Sequence, residues 1–328
     1  MHVLTRIKTD KKTARLSLQT IAAAAIVFTA LFGPFFARVI TEDPARQAKK
    51  DAETAPVTEI TADVPAMRER LRNERVIIHA GGHVRTPDGS DYTYTNSMEA
   101  LERCYEKGNR ICELDFILSA DGYLVCAHNG WDRWAMGMSF RGAADRADFL
   151  AEKMYGELET MDLDALITFL REHEDLYVVT DIKSNSVSNL KGCSVIRKRA
   201  PDLLDRFIIQ IYHDEEFSRV RSLGFPYIIY TLYDADTDER EQDAILKVLR
   251  KCDLTALTLP RAMANDDAFN ARIRDTGVPL FVHTINDVES MNALQDIGVQ
   301  GFYTDNIHNT YIRNYLNNRA ERDTDAAE

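Results

Sequence analysis

The sequence predicts an α/β fold, a closed parallel (β/α)8 or TIM barrel, preceded by a single N-terminal transmembrane helix. Three observations predict it. Short β-branched runs alternate with longer amphipathic stretches from about residue 76 to residue 303, the pattern of a parallel sheet wrapped by helices. The runs number eight, and a closed barrel of about 250 residues accommodates that count better than an open sheet. Ahead of them an uncharged stretch spans residues 16–37, roughly the 20 residues that cross a bilayer core as a helix.

Taken in order, residues 1–15 form a basic tail carrying Arg6, Lys8, Lys11, Lys12 and Arg15. Positive charge ahead of a span places the N-terminus in the cytoplasm and the remainder in the periplasm or outside the cell. The anchor occupies 16–40. A cleaved signal peptide is the competing reading, but the apolar run exceeds a usual h-region and Phe35-Phe36-Ala37 lacks the small-x-small cleavage pattern. Residues 41–66, rich in Ala, Thr, Asp, Glu, Lys and Pro without an apolar period, read as a polar linker. The barrel domain is expected over 67–318 and an acidic tail over 319–328.

Within the domain the expected strands are 76–78, 111–118, 176–182, 207–211, 227–232, 254–259, 280–282 and 301–303. An extra strand at 123–127 turns back on the second through Asp121-Gly122, a favoured hairpin dipeptide. Helices are expected at 97–107, 162–171, 215–223, 236–249, 266–276 and 287–297. Several begin at Ser or Asp and stop at Gly108, Gly224, Gly277 or Gly298, as capping chemistry prefers.

A 328-residue chain that is 45% hydrophobic sustains one large core. Its formal charge of -12 repels polyanions, and no basic patch offsets it, which excludes a nucleic-acid partner. Cys104, Cys112, Cys126, Cys193 and Cys252 form no CxxC pair, so neither a zinc site nor a disulfide framework is indicated. Oligomeric state is not written in the sequence.

In such a barrel, functional side chains gather at the C-terminal strand ends. The first strand ends in His79-Ala80-Gly81-Gly82, the second carries Glu113-Leu114-Asp115, the hairpin strand ends in His128-Asn129, and the third ends in Asp181-Ile182-Lys183. Glu113 and Asp115 stand two apart on a strand and share a face. Two carboxylates on an inward face repel unless a cation neutralises them. With Asp181 as third ligand they form the hard all-oxygen set that suits Mg²⁺ or Ca²⁺. His79 and His128 have the near-neutral imidazoles that suit general acid and base roles, in either order. Lys183 offers a point charge to a phosphate.

These stretches together resemble the glycerophosphodiester phosphodiesterase family. The similarity rests on His79-Ala80-Gly81, Thr95-Asn96-Ser97, Glu113-Leu114-Asp115, Ala120-Asp121-Gly122 and His128-Asn129, in the family's order and spacing. It continues through Asp181-Ile182-Lys183, His283-Thr284-Ile285-Asn286, Gly298-Val299-Gln300-Gly301 and Thr304-Asp305. The resemblance implies a barrel that hydrolyses glycerophosphodiesters with a divalent metal and a pair of histidines. Ala80 stands where the family carries a phosphate-contacting Arg, Asn129 replaces an Asp, and His283 replaces a Trp. This marks a divergent branch, closer to phosphatidylinositol phospholipase C-like barrels. Arg85 is the candidate replacement for the missing guanidinium, His283 lines the pocket, and Trp131, with Trp134, is either a substrate wall or core packing.

The expected substrate is a small or lipid-derived phosphodiester, attacked by its own neighbouring hydroxyl or by water. Two other readings are metal-independent cleavage of an inositol lipid and a catalytically silent barrel that binds envelope glycans or lipid head groups.

Overall fold

The computed structural model describes residues 63–128, 137–138, 144–183, 185–306 and 314–315. The basic tail, the anchor, nearly all of the linker, Trp131 and the acidic tail lie outside the described residues. No helix among the described residues is long and apolar enough to cross a membrane.

Eight parallel strands close into a barrel. They are β1 (Val76–Ile78), β2 (Ile111–Leu118), β3 (Tyr177–Ile182), β4 (Phe207–Ile211), β5 (Tyr227–Thr231), β6 (Ala256–Pro260), β7 (Leu280–His283) and β8 (Gly301–Thr304). Each pairs in parallel with the next, and β1 closes the ring by pairing with both β8 and β2. The register between β2 and β3 sets Glu113 beside Val179 and Asp115 beside Asp181. The extra strand, Leu124–Cys126, runs antiparallel to β2, as Asp121-Gly122 predicts.

The expected helices are present with trimmed ends: α2 (Met98–Glu106), α3 (Leu163–Glu172), α5 (Glu216–Ser222), α6 (Gln242–Lys251), α7 (Asp267–Arg274) and α8 (Val288–Asp296). Ser97, Asp162, Asp266 and Asp287 each accept a backbone N–H at the first turn, satisfying donors that a helix start leaves open. Three α-helices among the described residues were not anticipated, a short one at Arg146–Leu150 and two longer ones. One is α4 (Ser186–Arg199), whose weak apolar period hides it in the sequence, although Asn185 caps it. The other is α1 (Val64–Glu74), capped by Asp63 and beginning ahead of Met67. Val64, Met67 and Leu71 of α1 pack on Ile77, Ile111, Val179, Ile208, Tyr227, Ile229, Ala256, Phe281 and Tyr303. These strand residues form the apolar floor of the barrel, and α1 plugs it.

Alternation along each strand then sets the next layers. Two residues beyond the floor come Glu113, Asp181, Gln210, Thr231, Thr258 and His283, all buried or nearly so. The opposite parity, including Ile78, Cys112, Leu114, Val178, Ile209 and Leu257, faces the helices in the main core. Both faces of every strand are thus covered, which explains why the strands read as nearly unbroken apolar runs. All five cysteines are buried in this packing and none is in a disulfide.

Candidate active site

The residues that follow the floor by two or four positions meet at the C-terminal end of the barrel. Inside the strand ends lie Glu113, Asp115 and Asp181, each no more than 3% exposed. One ligand oxygen from each lies within 4.8 Å of the others. Ala80 N donates to Glu113 Oε2 at 2.8 Å, while Glu113 Oε1 is buried with no hydrogen-bond partner. A buried orphan carboxylate oxygen costs on the order of 1–3 kcal/mol. Burial first, then repulsion from Asp115, pushes the Glu113 carboxyl well above the usual carboxylate range. A hard divalent cation would relieve both problems, and an all-oxygen donor set is the chemistry it takes. Among the described residues two other groupings, His213–Asp236–Glu239 and Asp214–Glu215–Glu239, lie in partly exposed positions.

Asn96 holds Asp115 in place. It is fully buried at φ 52, its Nδ2 donates to Asp115 Oδ2 at 2.9 Å, and its Oδ1 accepts Asp115 N–H at 2.8 Å. Lys183 lies against the cluster, with Nζ 2.9 Å from Asp115 Oδ1 and 2.5 Å from Asp181 Oδ2. The first contact lacks hydrogen-bond alignment, since Asp115 Oδ1 has no hydrogen-bond partner. Burial opposes the charge on Lys183, but the fields of Asp181, Asp115 and Glu113 outweigh it and raise its pKa. Sequence reasoning assigned Lys183 to phosphate; in the structure its ammonium rests on the carboxylates.

His79 occupies a left-handed bend at the end of β1. Ala80 takes φ 48 there and Gly81 φ 81, and a Cβ at Gly81 would meet Ala100 Cβ of α2 at 3.0 Å. That close approach requires glycine. The imidazole Nδ1 lies 2.7 Å from Asp305 Oδ1, and Asn286 Nδ2 donates to Asp305 Oδ2 at 2.6 Å. Burial disfavours the imidazolium, but the Asp305 hydrogen bond and the fields of Glu113, Asp115 and Asp305 prevail, so the His79 pKa is raised. His283 meets His79 edge-on at 4.8 Å. Its burial, with the nearby His79 and Lys183 charges, lowers its pKa to about 3 and keeps it neutral. Tyr94 lies edge-on to His79 at 4.7 Å and to His128 at 5.0 Å, so the two histidines flank one phenol ring.

Arg85 is not brought to this cluster. It sits on a two-stranded hairpin, donates to Gly89 O at 3.2 Å and faces Asp91 at 3.7 Å. The hairpin turn closes locally between Val84 and Tyr92, which draws the guanidinium to its own strand partner. Sequence reasoning singles out neither Tyr233 nor Tyr94, and it holds Asn96 and Asn286 only as motif positions, without their bonds to Asp115 and Asp305. For Tyr233 a signal existed, because it stands two beyond Thr231 and four beyond Ile229, on the inward parity of β5. Asp305, a motif position in the sequence, makes its hydrogen bond with His79 itself.

A cleft of about 520 Å³ opens at the opposite, N-terminal end of the barrel, near Arg68, Asp253 and Arg272. Two of its arginines are paired with carboxylates, Arg68 with Asp253 and Arg272 with Asp243, and the barrel's functional end is the other one.

A parallel eight-stranded barrel that gathers buried carboxylates, an ammonium and imidazoles at its C-terminal mouth has the class of site found in barrel enzymes. Comparison with known proteins narrows the class. The model of the glycerophosphoryl diester phosphodiesterase family matches residues 87–309, and the chain belongs to that family, whose members are phosphoric diester hydrolases. The match begins downstream of His79, where the sequence departs from the family with Ala80. Among curated proteins, none matches the sequence. A glycerophosphodiester phosphodiesterase from Parabacteroides distasonis superposes with TM-score 0.59 at 17% identity, covering 75% of this chain and 98% of that one. One from Thermotoga maritima gives 0.55 at 18%, covering 71% and 95%. A phosphodiesterase from Oleispira antarctica, solved with the product sn-glycerol-3-phosphate, gives 0.57 at 14%, covering 73% and 96%. At these identities the similarity is one of fold.

Proposed function

We propose that this chain hydrolyses a glycerophosphodiester or a phospholipid-derived head-group diester with the help of a divalent cation, Mg²⁺ or Ca²⁺. The observation that carries the reading is the convergence of Glu113, Asp115 and Asp181 at the barrel mouth, with a buried Glu113 oxygen left unpartnered. These three residues would hold the cation, which when bound polarises a phosphoryl oxygen and offsets charge developing at phosphorus. Asn96 fixes the direction of Asp115, and Lys183 supplies the positive charge that faces the phosphate.

His79 and His128 divide the proton transfers. Asp305 on Nδ1 leaves His79 Nε2 as the nitrogen available to substrate and favours the imidazolium, which suits His79 to protonating the leaving oxygen. His128, across the Tyr94 ring, is then the base that takes a proton from the attacking hydroxyl or water. Neutral His283 packs beside His79 and shields that face without adding a competing charge. The complex of the Oleispira antarctica protein with sn-glycerol-3-phosphate supports the glycerol side of the substrate.

The same reading gives the chain a single-pass anchor at 16–40 and a domain in the periplasm or cell exterior, on the strength of the basic residues that precede the apolar run. Protease treatment of intact and permeabilised cells tests this. The test of the chemistry is a panel of glycerophosphodiesters and phospholipids assayed with Mg²⁺, Ca²⁺ or chelator. Turnover lost with chelator and lost in both His79→Ala and His128→Ala is the expected result. Turnover that survives chelation, or survives loss of both imidazoles, overturns the reading.

A further inference from the structure

Asp181 attracts three donors. Tyr212 Oη lies against its Oδ1 and Tyr233 Oη against its Oδ2, and the two phenol oxygens also touch each other; with one hydrogen apiece, the pair makes two of these three contacts as hydrogen bonds at a time. Lys183 Nζ adds a 2.5 Å contact to Oδ2 and lies 3.3 Å from Tyr233 Oη. Tyr212 is buried, whereas Tyr233 is half-buried and its ring stacks on His283 at 5.2 Å and 24°. A carboxylate that also ligates a cation has fewer lone pairs to give these donors. Each phenol can re-aim its O–H by rotating about the C–O bond while the ring stays packed. The anion that arrives at this spot in the proposed reaction is the phosphoryl group. Ala80 carries no charge, and Arg85 is bound to its own hairpin, so neither supplies a donor there.

Resting on the phosphodiesterase reading above, we infer that the Tyr233 hydroxyl is a phosphate-binding group, working beside Lys183, and that Tyr212 is a positioning residue that holds it through the shared hydroxyl contact. Tyr233 thereby does with a neutral donor on a stacked ring what a guanidinium would do with a fork. Tyr212, deeper in the barrel, keeps that donor directed across Asp181.

The test uses the full chain, with folding checked by circular dichroism. Calorimetric titration with inorganic phosphate is run at saturating Mg²⁺, Mg²⁺ affinity is measured separately, and KM and kcat are measured on the best diester of the panel. Tyr233→Phe is expected to weaken phosphate binding and raise KM by about 10- to 100-fold, the usual range for losing a hydrogen bond to a charged group. Mg²⁺ affinity should stay within about twofold, because a phenol that binds substrate is not needed by the ion. Tyr212→Phe should raise KM by less than Tyr233→Phe does, and Tyr233→His, which keeps a ring donor on the stack, should recover part of the loss. Unchanged phosphate binding and KM in Tyr233→Phe overturns the inference. So does a loss of Mg²⁺ affinity that matches the loss of phosphate affinity, since the phenols would then serve Asp181 alone. A parent chain that turns over diesters with metal and histidine dependence while Tyr233→Phe matches it sinks this inference only. A parent that neither binds phosphate nor turns over any diester sinks the phosphodiesterase reading with it.

Discussion

Replacing Asn96 by Ala should destabilise the domain by several kilocalories per mole while touching no apolar contact of consequence. Asn96 is fully buried, and its side chain gives both of its hydrogen bonds to Asp115. Truncation leaves the Asp115 N–H and one carboxylate oxygen without partners, each at about 1–3 kcal/mol. Ala must also adopt the left-handed φ of 52, at roughly 1–2 kcal/mol. The sum is about 3–8 kcal/mol, a large part of the 5–15 kcal/mol typical of a domain. Asn96→Gly loses the same bonds but not the backbone preference, so it should be more stable than Asn96→Ala by about 1 kcal/mol. Urea unfolding followed by circular dichroism measures both differences. If Asn96→Ala unfolds within about 1 kcal/mol of the parent, Asp115 is held by something else and the argument is wrong. If Asn96→Gly is no better than Asn96→Ala, the backbone contribution is refuted.

Two further outcomes follow from the charges. Asp305 is depressed below 3.8, burial opposing but the His79 hydrogen bond prevailing, and His79 is raised above 6.5. The carboxylate's contribution is therefore present above 3.8 and lost as pH falls through its lower folded value. The imidazolium's is full below 6.5 and lost as pH rises through its higher folded value. Asp305→Asn should accordingly lower the unfolding free energy most near pH 5–6 and least above the folded His79 pKa, by about 1.5–3 kcal/mol at most; a pH-independent difference in melting temperature would count against the pair. Glu113→Gln removes a buried like charge, so without cation the variant should equal or exceed the parent in melting temperature. The parent should gain with millimolar Mg²⁺ or Ca²⁺ and the variant much less; equal gains would place the cation elsewhere.

Much of the site was legible because strands encode direction with a period of two. Glu113 and Asp115 announce an inward polar face within an apolar run, and His79, Asp181 and His283 fall on inward parity at the ends of their strands. The hairpin at Asp121-Gly122 and the capped helix starts follow from turn chemistry that acts within a few residues. What escaped is what depends on which strands become neighbours and at what stagger. Nothing local says that Asp115 lies beside Asp181, that Lys183 rests on both, or that Tyr233 crosses to Asp181 from β5. Helix α4 was missed for a different reason: with helices packed over the barrel on both sides, its burial comes from context and leaves little period to read.

The sequence alone determined the barrel, its inward faces and the carboxylates and imidazoles that make a hydrolytic site chemically sensible, because alternation, caps and turns are set by nearest neighbours along the chain. Closure of the ring decided the rest. Only when β1 pairs with β2 and β8 do side chains from distant strands share one small volume, where burial and mutual charge set how each of them is protonated and held. Those forces act across space, between residues that the chain order keeps apart.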